Sequence, residues 1–126
     1  MKYIITQKQL DKIIFEYLDS KNLPIIESEV FSDGKFFKRV YFDVPKRRKG
    51  ATKYSLIRYD KGGKWFGWCF ISDMLVEDIS SRFSLSESNS EEVIGRWVEN
   101  TLKMKVKNIS NVSGIGDSAF KLRIYK

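Results

Sequence analysis

Ile25-Ile26-Glu27-Ser28-Glu29-Val30-Phe31-Ser32-Asp33-Gly34-Lys35-Phe36-Phe37-Lys38-Arg39-Val40-Tyr41-Phe42-Asp43-Val44 is the stretch that decides the fold. Two runs rich in β-branched and aromatic residues flank Asp33-Gly34, a pair suited to the left-handed backbone of a tight hairpin turn. Alternation along the second run, taken as 36–44, places Phe36, Lys38, Val40, Phe42 and Val44 on one side and Phe37, Arg39, Tyr41 and Asp43 on the other. The even set reads as core. The odd set reads as exposed but aromatic, with Phe37, Arg39 and Tyr41 as candidates for stacking on bases. Pro45-Lys46-Arg47-Arg48-Lys49-Gly50 follows as a loop, then a third strand over 52–59, a turn over 60–64 and a fourth strand over 65–71. The fourth strand is apolar on both faces, which suits a central position. Short turns in succession favour an antiparallel meander over parallel crossovers.

Outward from this hairpin the pattern becomes helical. Thr6-Gln7-Lys8-Gln9 has the form of a capping box, and Leu10, Ile13, Ile14, Tyr17 and Leu18 recur at helical spacing up to about Lys21. The other face of that helix, with Lys8, Asp11, Lys12, Glu16 and Asp19, reads as solvent-facing. Ser72 is placed to cap a second helix over 73–83. Ser88 with Glu91 forms a further capping box, opening a third helix with a stripe of Val93, Ile94, Trp97, Val98 and Leu102. Gly95 weakens that helix by about 1 kcal/mol relative to alanine and suggests close packing against a neighbour. Residues 104–112 and 119–125 read as two last strands joined by a loop. The expectation is a single α+β domain over residues 1–126. Its antiparallel sheet, a four-stranded meander plus two C-terminal strands, is packed by an N-terminal helix and a central helix pair.

Charge follows these elements. Residues 35–64 hold eleven cations and two anions, a local net of +9 in a chain whose formal net charge is +7. Residues 103–126 carry +5, residues 72–100 carry −5 and residues 1–34 carry −2. A basic sheet and acidic helices imply one cationic side. Lys46, Arg47, Arg48 and Lys49 at a hairpin tip, with Lys38, Arg39, Lys53 and Arg58 beside them, form the candidate nucleic-acid-binding set. Such cations neutralise phosphates and release counterions, largely blind to sequence. A solvated loop that keeps a sheet tip soluble has the same composition.

Several chemistries are excluded or unsupported. With no histidine and one cysteine, the usual zinc and haem sites and a histidine-activated nucleophile cannot be built from this chain alone. Cys69, among Trp65, Phe66, Trp68 and Phe70, reads as a small buried residue. Lys61-Gly62-Gly63-Lys64 lacks the spacing of a phosphate-binding loop, and a strand rather than a helix follows Ser113-Gly114-Ile115-Gly116. Glu91 and Glu92 suit the first turn of a helix. Ser80, Ser81, Ser84, Ser86, Ser88 and Ser90 read as a polar link between helices. No run approaches the ~20 apolar residues of a membrane span, and the apolar run after Lys2 is too short for a signal peptide.

Met1-Lys2-Tyr3-Ile4-Ile5-Thr6-Gln7-Lys8-Gln9-Leu10 resembles the start of small proteins of tailed phages and environmental viruses. Ile57-Arg58-Tyr59-Asp60-Lys61, Gly67-Trp68-Cys69 and Ile94-Gly95-Arg96-Trp97-Val98-Glu99 resemble the same group. The resemblance implies a viral or host-associated bacterial origin and a cytoplasmic life, and it brings no activity or site residue. The expected function is a non-enzymatic basic binding protein, without cofactor or metal, that contacts nucleic acid or another polyanion. The alternative is a phage-type protein–protein module that binds a host factor or a virion component. A homodimer is a further expected partnership, and a membrane is not expected.

Overall fold

The computed structural model describes residues 6–32, 34–43, 55–62 and 66–112. In chain order they form α1 (Gln7–Ser20), β1 (Ile25–Ser32), β2 (Lys35–Asp43), β3 (Ser55–Asp60), β4 (Trp68–Ser72), α2 (Asp73–Phe83), α3 (Glu87–Leu102) and β5 (Asn108–Val112). The sheet order is β1-β2-β3-β4-β5. β1 through β4 run antiparallel to their neighbours, as a meander requires. β5 departs from the expected all-antiparallel sheet: it pairs parallel to β4. The reason lies in the connection. A parallel neighbour needs a crossover of a dozen or more residues, and the α2–α3 pair supplies it. The expected strand at 119–125 lies outside the described residues.

Local chemistry sets the element ends. Thr6 Oγ1 accepts the Gln9 N–H at 3.1 Å, and Gln9 Oε1 accepts the Thr6 N–H at 3.0 Å, a reciprocal capping box. Ser72 caps α2 through the Met74 N–H. α3 starts earlier than the Ser88–Glu91 pattern indicates. Ser86 is its cap, accepting the Asn89 N–H at 3.1 Å. The earlier start brings Ser90 onto the buried face, where its hydroxyl lies 2.8 Å from that of Ser80 and donates to the Ser86 carbonyl. Gly34 closes the β1–β2 hairpin at φ +76°, a conformation that favours glycine.

All three helices contribute to one core against one face of the sheet. Val40 and Phe42 of β2, Ile57 and Tyr59 of β3, and Cys69 and Ile71 of β4 meet Ile14 and Leu18 of α1, Val76 and Ile79 of α2, and Val93, Ile94, Trp97 and Val98 of α3. The register aligns this set: Phe42 faces Ile57, Ile57 faces Ile71, and Tyr59 faces Cys69. β4 lies between β3 and β5, the interior position its two-sided apolarity requires.

β2 corrects the expected division of its faces at both ends. Phe36 shares the face of Val40 and Phe42 but is 70% exposed, near the turn of the hairpin. Tyr41, on the opposite face, is fully buried. It belongs to none of the helix-side packing, so both faces of β2 bury residues. The polar side of α1 is exposed at Lys8, Lys12, Glu16 and Asp19, as expected, but two of its acids also reach α3. Asp11 accepts two hydrogen bonds from Arg96 at 2.7 and 3.0 Å, and Asp19 accepts the Trp97 indole N–H at 2.9 Å. Tyr17 donates to Asp78 of α2 at 2.7 Å, with Lys21 3.1 Å from the same carboxylate.

Burial alone would raise the Asp11 and Asp78 carboxyls. Hydrogen bonds and charge from Arg96 and Gln7 on Asp11, and from Tyr17, Lys21 and Arg82 on Asp78, outweigh it and hold both below the ordinary 3.8. A depressed carboxyl stabilises the fold above its unfolded value and loses that contribution as the pH falls through its lower folded value. Thermal melts from about pH 7 to about pH 3 should therefore show stability falling at the acid end. Asp11→Asn and Asp78→Asn should flatten that fall; a variant whose profile stays parallel to the parent's would contradict these roles.

Gly95 of α3 does provide close approach. A Cβ there would lie 2.5 Å from Ile109 Cδ1 and 3.3 Å from Ile109 Cγ1 of β5. Gly95→Ala gains about 1 kcal/mol of helix propensity against movement of one flexible methyl, so its net effect should be near zero. Gly95→Val adds branched bulk and should destabilise by about 2 kcal/mol. Denaturant melts of the two variants separate these outcomes.

Candidate nucleic-acid interface

Alternation along the strands builds the sheet face away from the helices. β2 sends Arg39 and Tyr41 there, β3 sends Arg58 and Asp60, and β4 sends Trp68 and Phe70. Across the ladders Arg39 faces Asp60, Tyr41 faces Arg58, and Arg58 faces Phe70.

Asp60 is the pivot. Its carboxylate is fully buried, and Arg58 grips it bidentately, Nε to Oδ1 at 2.7 Å and Nη2 to Oδ2 at 3.0 Å. Arg39 Nε lies 3.4 Å from the same Oδ1, an ion pair at longer range. The two arginine side chains are 18% and 19% exposed, so each keeps an edge at the surface. A buried carboxylate requires such partners, because charge taken out of water is costly unless paired and hydrogen-bonded. Among the described residues, two guanidiniums meet one carboxylate here.

Arg58 also covers an aromatic ring. Its guanidinium carbon stands 4.5 Å from the centroid of Phe70. Phe70 in turn stacks on Trp68, with centroids 5.8 Å apart and planes 22° from parallel. Both rings are half-buried. Guanidinium, phenyl and indole thus stack against one another over β3 and β4.

The expected site residues divide between this face and elsewhere. Arg39 and Arg58 are brought together on Asp60. Lys38 is exposed but leaves β2 on the helix side, across from Glu29 of β1. Neighbours in sequence point to opposite faces of a strand, so Lys38 does not join the two arginines. Lys46, Arg47, Arg48, Lys49 and Lys53 lie outside the described residues. Tyr41 is too deeply buried to stack on a base, which corrects the expectation for that ring. Asp60, Trp68 and Phe70 were not among the expected site residues. The signal for them was the two-residue spacing of Arg58 and Asp60 and of Trp68 and Phe70 on adjacent strands, which needs the register to be read.

The remaining chemistry is sparse. Cys69 is fully buried on the helix side, and burial followed by the charge of Glu99 pushes its thiol up to about 12, so the group stays protonated and unreactive at neutral pH. Among the described residues no group of three acidic, histidine or cysteine side chains is arranged to hold a metal ion, and no helix is long and apolar enough to cross a membrane. An open groove of about 890 Å³ between α1 and α3 is lined by Lys8, Lys12, Phe15, Glu16, Arg96 and Lys103, a mixture of charges without a shared sign. No protein-family model, curated protein or solved structure matches this chain.

The Tyr41 hydroxyl is buried and has no hydrogen-bond partner among the described residues. Leaving a buried hydroxyl unpaired costs about 1 kcal/mol or more. Tyr41→Phe should therefore leave the unfolding free energy unchanged or raise it by about 1 kcal/mol. A clear loss of stability in denaturant melts would mean that the hydroxyl is bonded.

Proposed function

We propose that this chain is a non-enzymatic binding protein that holds nucleic acid, or another polyanion, on its cationic side. The cations at 46–49 supply most of the contact, Lys53 extends it, and Arg39 and Arg58 add positive charge from the sheet. Lys38, on the helix side of β2 across from Glu29, lies apart from the face of those arginines. The observation that carries this reading is the separation of charge. The acidic segment 72–100 forms the helices packed on one face of the sheet. Among the described side chains, the charged groups of the other face are Arg39, Arg58 and the buried Asp60. A polyanion approaching that face meets positive charge, with the acidic helices on the far side.

A protein partner is the second reading. It is favoured by large apolar side chains left at the surface, chiefly Phe36 at 70% and Met74 at 57% exposure. Such a partner, from a host cell or a virion, would be captured from nuclease-treated lysate as readily as from untreated lysate. A nucleic-acid partnership would not survive that treatment.

Binding to single- and double-stranded oligonucleotides across a salt series tests the first reading. Affinity should fall steeply as salt rises. Replacing Lys46, Arg47, Arg48 and Lys49 together by alanine should lower the log–log slope by about 3, the counterions no longer released by four phosphate contacts. Absence of binding at low salt, or a slope untouched by the four replacements, would refute it.

A further inference from the structure

We infer that the open groove between α1 and α3 binds a free acyl carboxylate of medium length, with its chain in the groove and its head at the lysines of the rim. The inference does not depend on the nucleic-acid reading, since the groove lies in the helical layer and that reading concerns the other face of the sheet.

Three properties of the groove point to this ligand. The first is space and surface. The groove holds about 890 Å³, within the range of small-molecule sites, and its wall is mostly carbon. Phe15 lines it, half-buried and packed against the core, so one ring is fixed in place. The alkyl stems of long side chains add carbon while their charged heads stay in water. The second is the charge left over after pairing. Asp11 is taken by Arg96, at 2.7 and 3.0 Å, and by Gln7 at 2.7 Å. Glu99 is turned to the Val106 N–H at 2.8 Å. Lys8, Lys12 and Lys103 have no ion pair with any described residue, and Glu16 has none either. Three unpaired ammonium groups thus stand against one unpaired carboxylate, and an incoming carboxylate supplies a partner they lack. The third is the scarcity of lining amides. Gln9 and Asn100 are too few to answer the N–H and C=O groups of an extended peptide, which would be left unpaired against carbon. An acyl chain has no such groups.

The two helices hold the width of the groove before any ligand arrives. Arg96 on Asp11 joins them, and Ile14 of α1 belongs to the same core as Val93 of α3. A preformed site avoids the cost of ordering its walls on binding. Glu16 sets the sign of a control, because its carboxylate repels an anionic head and its neutralisation should strengthen binding.

Calorimetric titration at neutral pH compares octanoate, 1-octanol, octyltrimethylammonium and acetate, with the charged chains kept below their micelle concentrations. Octanoate should saturate one site and bind about fivefold or more tighter than 1-octanol, as expected when an ion pair is added to the same chain. Acetate and octyltrimethylammonium should both bind more weakly than 1-octanol. Replacing Lys8, Lys12 and Lys103 together by glutamine should bring octanoate down to the affinity of 1-octanol and leave 1-octanol unchanged. All three side chains are exposed, so the fold should persist. Glu16→Gln should tighten octanoate by about twofold and leave 1-octanol unchanged. Amide NMR shifts on adding octanoate to the parent protein should map to α1 and α3. Absence of saturable octanoate binding, equal affinities for octanoate and 1-octanol, or shifts confined to other elements would each overturn the inference. None of these outcomes bears on nucleic-acid binding, so the two readings fail separately.

Discussion

The buried carboxylate of Asp60 is the constraint on which the described sheet turns. It is fully enclosed, so its two arginines cannot be spared: removing the partner of a buried charge typically costs about 3 kcal/mol or more. That requirement sets the register of the sheet. Asp60 faces Arg39 across the β2–β3 ladder, and Arg58 reaches it from two residues earlier on its own strand. Slipping β3 by one residue would turn the carboxylate toward Val40, Phe42 and the helices, where described core residues are apolar. The backbone holds the same point, since the Asp60 carbonyl accepts the Gly67 N–H at 2.9 Å where the chain turns into β4. Gly67 has φ +83°, and a Cβ on it would meet Lys107 Cγ at 2.8 Å, so the link from β3 to β4 and the approach to β5 both pass over a bare backbone.

The helical layer answers a different demand. α1 is far from β5 in sequence, and it is held through polar groups as well as apolar ones. Arg96 on Asp11 and Trp97 on Asp19 join it to α3, and Tyr17 on Asp78 joins it to α2. Lys21 and Arg82 both lie against the Tyr17 ring, at 4.9 and 4.5 Å from its centroid, while Tyr17 meets Phe83 edge to face. Acidic side chains on these helices are thus partly used in holding the layer together. The charge separation between helices and sheet is for that reason a product of packing and not only of composition.

Much of this was legible in the residues. Asp33-Gly34 marked the hairpin, the box at Thr6 and Gln9 marked the start of α1, and Gly95 marked a close approach that Ile109 fills. What escaped depended on the third dimension. Helical periodicity could not tell that Asp11 and Asp19, on the polar stripe of α1, face Arg96 and Trp97. Alternation placed Phe36 and Phe42 on one face correctly but could not tell that only Phe42 becomes buried beneath helices. It also could not show that a strand following two helices would pair parallel to β4. The candidate site was half legible. The arginines stood out by charge, whereas Asp60, Phe70 and Trp68 acquire meaning only once β3 is set beside β4 in register.

Arg58 shows why two arginines attend one carboxylate. Asp60 needs a bidentate partner to be tolerated in the interior, and Arg58 fills that role at 2.7 and 3.0 Å. The same guanidinium lies over Phe70, so its charge is shared between a carboxylate and a ring face. Arg58 and Asp60 alone would form a neutral pair. Arg39 reaches the same oxygen at 3.4 Å without displacing Arg58. Burial therefore fixes Arg58 by two hydrogen bonds, and Arg39 stands as its longer-range companion on the same carboxylate.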